Sequence, residues 1–267
     1  MGVLNVTPDS FYDGGRYVVA DALKRRIETM VAEGVDLIDV GGESSRPGSH
    51  PVGIEEELNR VIPAIEMIVS SFAVPVSVDT TKARVATEAV AAGAEFVNDI
   101  SGLQFDPQMA SAVAFSGAGL FLMHTRGRPD AMQNDTKYQD VMAEIIDYLD
   151  TAMNQAQTAG VELTKIAVDP GIGFGKSVDG NLEVLRRLPE LGRLGRPILL
   201  GTSRKSFIGK LLQEDDPEQR LAGSLATVAL GVAAGARIFR VHDVRSTRQA
   251  ADIAWAIVDT KSGIKHG

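Results

Sequence analysis

Eight short apolar runs, each followed by a stretch of helical character, in one chain of 267 residues with no linker or low-complexity segment predict an α/β protein built as a single (β/α)8 barrel. Length agrees, since ~250 residues is common for that architecture as one domain, and the domain is expected to span residues 1–267. The runs are mostly apolar without clean alternation, as expected for parallel strands covered on both faces. An open doubly wound sheet is the alternative, and it would more often divide into two lobes.

The elements follow in order. Residues 2–6 form the first run. Val19, Leu23, Ile27, Met30 and Val31 then fall at helical spacing, with Lys24, Arg25 and Glu28 on other faces and Gly34 as a stop. Residues 37–40 are the second run, and Leu58, Val61, Ile62, Ile65 and Ile68 repeat the helical spacing. Runs three to five are residues 74–78, 95–100 and 120–123, followed by a helical face of Val141, Ile145, Ile146 and Leu149. Residues 165–168 and 197–200 are the sixth and seventh. Asp216-Pro217-Glu218 reads as a helix start, with a cap, a proline in the first turn and an acid on the dipole. The longest uncharged stretch, residues 221–236, is short of the ~20 apolar residues of a spanning helix and is expected as a buried helix of a soluble protein. Residues 238–241 complete the eight.

Composition removes several function classes. The formal net charge is −8, which argues against general attraction to nucleic acid, although a local basic pocket can coexist with it. The chain has no cysteine, so disulfides, thiolate nucleophiles and cysteine–zinc sites are out, and a reducing, cytoplasmic setting is compatible. His50, His124, His242 and His266 lack ligand-type spacing, which speaks against zinc. A hard cation carried by phosphate oxygens would leave little trace. No targeting or membrane segment is expected.

In a parallel barrel the strand-to-helix loops converge on one face. The residues just after the apolar runs are Asn5, then Glu43 to Arg46, Asp79, Asn98-Asp99, His124, Asp169, Ser203 to Lys205, and Arg240 with His242. They divide into two chemical sets. Arg46, Lys205, Arg240 and His242 suit phosphate oxygens. Asp79, Asn98 and Asp169 suit a flat, donor-rich heterocycle. Together they predict a phosphorylated heterocyclic substrate, with an Asp169–Lys205 structural ion pair as the competing explanation for that pair. The glycine-rich Gly171-Ile172-Gly173-Phe174-Gly175-Lys176-Ser177 misses a P-loop by one residue, at Pro170, and fails the dinucleotide spacing.

The segments Gly2-Val3-Leu4-Asn5-Val6-Thr7-Pro8-Asp9-Ser10-Phe11, Gly41-Gly42-Glu43-Ser44-Ser45-Arg46-Pro47-Gly48, Ser77-Val78-Asp79-Thr80, Asn98-Asp99-Ile100-Ser101-Gly102, Asp169-Pro170-Gly171-Ile172-Gly173-Phe174-Gly175-Lys176, Ser203-Arg204-Lys205-Ser206 and Arg240-Val241-His242-Asp243 together resemble the dihydropteroate synthases, in that family's order and over nearly the whole chain. The resemblance implies a cytoplasmic transferase of folate biosynthesis on a pterin-binding (β/α)8 barrel. It would join 6-hydroxymethyl-7,8-dihydropterin diphosphate to p-aminobenzoate and release diphosphate. Asp79, Asp169, Lys205 and Arg240 are the implied catalytic residues, and Asn98 joins Asp79, Asp169 and Lys205 in holding the pterin. Asn5 would help bind Mg²⁺, while Ser45, Arg46, Arg240 and His242 would take the diphosphate. Phe11, Pro47, Phe174, Ser203 and Lys205 would border the p-aminobenzoate site.

The resemblance also implies sulfonamides as competitive analogues and a homodimer, with neither nucleic acid nor membrane as partner. Relatives usually carry a lead-in segment, so the barrel floor is expected to be incompletely covered. Tyr12 stands where the family usually has a small residue, and Ser45 where Thr is common. Neutral drift accounts for either alone; altered sulfonamide sensitivity is the expectation beside it. Arg240→Ala is expected to cut turnover while leaving the fold intact. The rival functions are another pterin-binding barrel such as a methyltransferase part, a Schiff-base aldolase using Lys205, and a binding module without turnover.

Overall fold

The computed structural model describes residues 1–7, 16–45 and 48–259. Phe11, Tyr12, Arg46 and Pro47 therefore lie outside the described residues. Strands and helices alternate along the chain: β1 (Gly2–Asn5), α1 (Arg16–Ala32), β2 (Ile38–Gly41), α2 (Ile54–Ser71), β3 (Val76–Asp79), α3 (Ala83–Ala91), β4 (Phe96–Asp99), α4 (Met109–Ser116), β5 (Gly119–Met123), α5 (Val141–Ala159), β6 (Ile166–Asp169), α6 (Val178–Arg186), β7 (Leu199–Leu200), α7 (Ser206–Leu212), α8 (Leu221–Ala233), β8 (Ile238–Phe239) and α9 (Val244–Val258). Each apolar run named above is a strand, displaced by a residue or two at its ends.

Strands β1 to β6 pair in parallel in chain order, and β7 pairs with β8. Single parallel bridges carry the ring across both seams, between Val168 and Ile198 and between Gly2 and Val241. Regular pairing thus breaks in two places, yet every strand has a neighbour on each side, and the fold is the (β/α)8 barrel.

Alternation is present after all, but both faces are buried. Ile38, Val40, Val76, Val78, Val97, Leu120, Leu122, Ile166 and Val168 pack outward against the helices in the main core. The next residues along the same strands point into the lumen, as the two-residue strand period requires. At the floor that lumen is apolar, with Leu37, Phe121, Ala167 and Leu199 in one cluster and Phe96 stacked on Phe121 at 5.5 Å. This end opens into a cavity of about 600 Å³, bordered by Met1, Leu37, Ile238 and Trp255. One pleat higher the lumen turns polar, because the positions after the apolar layer are Asp39, Ser77, Asn98, Asp169 and Arg240.

The helices follow the sequence reading with two differences. The residues after Asp216 form a 3-10 turn, Pro217–Arg220, with the Asp216 side chain accepting from Glu218 N, and α8 begins only at Leu221. The long uncharged stretch is not buried all round: Leu230 of α8 is 70% exposed. Helix α5 is closed at both ends, by the Asp140 side chain accepting from Met142 N and Ala143 N and by Gly160 in the left-handed region. Among the described residues no helix is long and apolar enough to cross a membrane.

Candidate active site

The polar layer at the C-terminal ends of the strands is a connected set of side chains. Arg240, just past β8, donates from Nε to Asp39 Oδ2 and from Nη2 to Asp79 Oδ2, both at 2.6 Å. Asn98 Nδ2 donates to the same Asp39 oxygen at 3.1 Å. Asp39 is fully buried and its Oδ1 has no hydrogen-bond partner. Asn5 joins from β1: its Oδ1 and Asp79 Oδ2 lie 3.5 and 3.7 Å from where a side chain at Gly41 would begin. On the other side, Asp169 Oδ2 and Lys205 Nζ each lie 3.9 Å, and Arg240 Cβ 3.8 Å, from the equivalent point at Gly201. Asn5, Asp79, Asn98, Asp169, Lys205 and Arg240 thus share one mouth of the barrel, although they come from six strand ends.

Burial and charge set the protonation of this cluster. Burial pushes the Asp79 carboxyl up to about 7, against the downward pull of Arg240. Burial likewise raises Asp169, opposed by Lys205, and lowers the Lys205 ammonium to about 8, opposed by Asp169. These opposed shifts move an acid and a lysine toward neutrality from opposite sides, and such perturbed groups cluster at reactive sites.

The β6–α6 loop supplies the next wall. Asp169 Oδ1 accepts from Gly171 N at 2.7 Å, and Asn181 Oδ1 accepts from Gly173 N at 2.6 Å. Lys205 Nζ donates to the Ile172 carbonyl and lies 4.6 Å from the centre of the Phe174 ring. The loop thereby gives the lysine a carbonyl and an aromatic face, and Lys205 is held by the loop rather than by a direct Asp169 ion pair. Beyond it, His242 N donates to Ser203 Oγ at 3.2 Å, and the ring Nδ1 lies 3.1 Å from the same oxygen. Arg204 keeps these two loops in register through a two-point pair with Asp243, at 3.0 and 2.6 Å. Ser45 borders a small recess with Glu43, Glu57, Asp79 and Lys82. There Lys82 pairs with both glutamates, and Glu43 Oε2 also accepts from Val52 N at 3.0 Å.

Several expectations change. The cationic and acidic sets are not separate, because Arg240 is clamped between Asp79 of the acidic set and Asp39, which belonged to neither. Two of the rim residues turn away from the cluster. The Asp99 carboxylate accepts from Ser101 N, Ser101 Oγ and Leu103 N, so it braces the turn after β4. His124 is buried against Lys176 and the edge of Tyr148. Two buried charged positions were given no role of their own in the sequence reading. Asp39 lies inside an apolar run; an acid between residues buried on both faces signals a buried partner, since an unpaired carboxylate there is costly. Lys176 lies within the glycine-rich segment set aside as a nucleotide loop.

A parallel barrel bridged across both seams, with a polar, charged mouth and an apolar floor, defines the class: an enzyme scaffold with its chemistry at the strand C-termini. The chain matches the pterin binding enzyme family over residues 1–242 and belongs to it. It is 46% identical to the dihydropteroate synthase of Synechocystis over 96% of this chain and 89% of that protein. The structure of the dihydropteroate synthase of Clostridium difficile, in the presence of pteroic acid, is similar with a TM-score of 0.91 at 47% identity, over 96% of this chain and 95% of that one. That of Yersinia pestis in a sulfonamide drug complex gives 0.90 at 43% identity, over 96% and 92%.

Proposed function

We propose that the chain, as one pterin-binding barrel domain, transfers the 7,8-dihydropterin-6-ylmethyl group from its diphosphate to p-aminobenzoate, giving dihydropteroate and diphosphate. The observation that carries this reading is the Asp39–Arg240–Asp79 clamp, with Asn98, Asp169 and Lys205 around it, at a mouth formed by a chain of this family. Asp79, Asn98 and Asp169 meet the donor-rich edge of the pterin, and Lys205 meets an acceptor on the same ring. Two guanidinium donors of Arg240 are taken by acids, and the rest of its fork is left for the diphosphate together with Ser45 and His242; Arg46, which the family resemblance implies for the same role, lies outside the described residues.

The leaving group departs only if its growing charge is met by a preorganised positive field. The carbon left behind is attached to an electron-rich ring, and the ionised Asp79 and Asp169 stabilise the positive charge that the ring acquires. The aromatic amine of p-aminobenzoate is already nucleophilic. It attacks that carbon without a strong general base, and the proton it loses as the C–N bond forms passes to solvent water or the departed diphosphate. Phe174, Ser203 and Lys205 border the p-aminobenzoate position, which sulfonamides occupy in competition; Phe11 and Pro47, which the family resemblance implies for the same position, lie outside the described residues.

For Mg²⁺ the donor chemistry fits. Asn5 offers one hard amide oxygen beside Asp79, and among the described residues no cluster of three His, Cys, Asp or Glu side chains forms a resident metal site. That pattern suits a cation held mainly by phosphate oxygens and water. When bound, it supplies charge neutralisation of the leaving diphosphate. A cytoplasmic homodimer completes the reading; exposed Leu211, Leu212, Leu230, Ile253 and Ile257 on α7, α8 and α9 support an apolar contact between copies.

The test is direct: protein, Mg²⁺, pterin diphosphate and p-aminobenzoate are incubated, and dihydropteroate is measured with one diphosphate released per product. Absence of product removes the reading. The pH profile is a second check. Asp79 must be ionised and Lys205 charged, so kcat/KM for the pterin diphosphate is expected to fall below about pH 7 and above about pH 8. In Asp79→Asn the part of the acid-side fall that belongs to Asp79 is lost and that of Asp169 remains, and calorimetry shows pterin affinity lowered by about tenfold or more with p-aminobenzoate affinity little changed.

A further inference from the structure

Lys176 is only 3% exposed and lies behind the pocket rather than in it. Its Nζ donates to the carbonyls of Gly171 at 2.8 Å and Phe174 at 3.0 Å, and it lies 2.9 Å from His124 Nδ1. The turn closes on itself through Phe174 N donating to the Gly171 carbonyl at 3.1 Å, and the one amine clamps both of its ends and ties it to the end of β5. The Gly171 and Gly173 N–H groups are held separately, by Asp169 and Asn181. Its outward side presents the Ile172 carbonyl and the Phe174 ring, both of which touch Lys205 Nζ.

Burying a lysine is costly, and burial lowers its pKa well below the ordinary value. A simple turn needs no such group. What Lys176 adds is a fixed height for the carbonyl and ring on which Lys205 rests.

We propose that Lys176 is a positioning residue for the p-aminobenzoate side of the pocket, acting through the Gly171–Phe174 turn on Phe174 and Lys205. This rests on the reading above, in which those two residues border p-aminobenzoate. The pterin contacts depend less on it, because Asp79, Asn98 and Asp169 are carried by strands.

The experiment compares wild type, Lys176→Met and His124→Leu in steady-state kinetics. Thermal midpoints and hydrogen exchange of residues 171–175 are measured in parallel. In Lys176→Met the KM for p-aminobenzoate is expected to rise about tenfold, with the KM for pterin diphosphate and kcat within about threefold of wild type. Exchange is expected to quicken in residues 171–175 and not in β5 or α6. His124→Leu removes one of three partners, so the same KM rises by about threefold; this variant carries the test if Lys176→Met does not fold. A merely structural role lowers the thermal midpoint and leaves both KM values unchanged, and that result overturns the proposal. Wild type that forms no dihydropteroate overturns the functional reading and the proposal together, whereas active wild type beside an unchanged p-aminobenzoate KM overturns the proposal alone.

Discussion

Arg240→Ala is expected to lose at least about a thousandfold in kcat/KM, the upper range for removing one preorganised donor from a charge-stabilising site, because this residue serves both the diphosphate and the acids. The fold is also expected to weaken. Asp39 is fully buried and Asp79 is 8% exposed, and Arg240 is the cation that both contact at 2.6 Å. Removing one partner of a buried ion pair costs about 3–5 kcal/mol, because a charge stays behind in a low-dielectric site. The expectation from sequence that the fold would be left intact therefore does not stand beside this geometry.

The pH dependence has a definite sign. Asp79 titrates near 7 in the fold even with Arg240 beside it, above the value of an unfolded aspartate, so the folded state binds the extra proton and stability falls as pH rises through that interval. Taking away the arginine removes the downward pull and widens the interval. The stability deficit of Arg240→Ala, read by urea denaturation, is thus expected to grow from pH 5 to pH 8. A deficit that shrinks over this range excludes the buried-acid explanation. Arg240→Lys retains a charge but not the fork that reaches two carboxylates, and is expected to fall between wild type and Arg240→Ala.

Gly171→Ala is expected to lower kcat/KM by about a hundredfold, the loss associated with a misplacement of about 1 Å in a reacting assembly. Gly171 has φ +67°, and a Cβ there would lie 1.8 Å from the His124 carbonyl oxygen. Backbone lies on both sides of that clash, so the turn itself must move. It carries away the Ile172 carbonyl and the Phe174 ring from Lys205, and the Gly171 N–H from Asp169. The measurement is kinetics with a thermal melt. Because the displaced turn also supports Asp169, both substrates are expected to be affected, unlike the selective p-aminobenzoate effect of Lys176→Met.

The barrel was legible in the chain because strands covered on both faces must be apolar on both, and eight such runs stand out from amphipathic helices. The end of each run was legible for the same reason: an abrupt polar residue marks where the apolar layers stop. Asn5, Asp79, Asn98, Asp169, Lys205 and Arg240 were found in this way, and they converge. Phe11, Arg46 and Pro47 lie outside the described residues. Asp99 and His124 passed the same test and yet face elsewhere, since adjacent strand residues point to opposite sides and a strand's end does not reveal which of two neighbours faces the lumen. Asp39 was hidden because it stands inside an apolar run, between Ile38 and Val40, rather than at its end.

Local order along the chain was enough for the strands, their succession and the residue types gathered at one mouth, because hydrophobic periodicity is a property of neighbours. Which acid meets which base was settled only by closing the ring. Arg240 reaches Asp39 across 201 positions and Asp79 across 161, and no spacing rule extends that far. The pairing follows from the stagger of strands around the lumen, where burial makes each unmatched charge expensive and so selects the partner within reach.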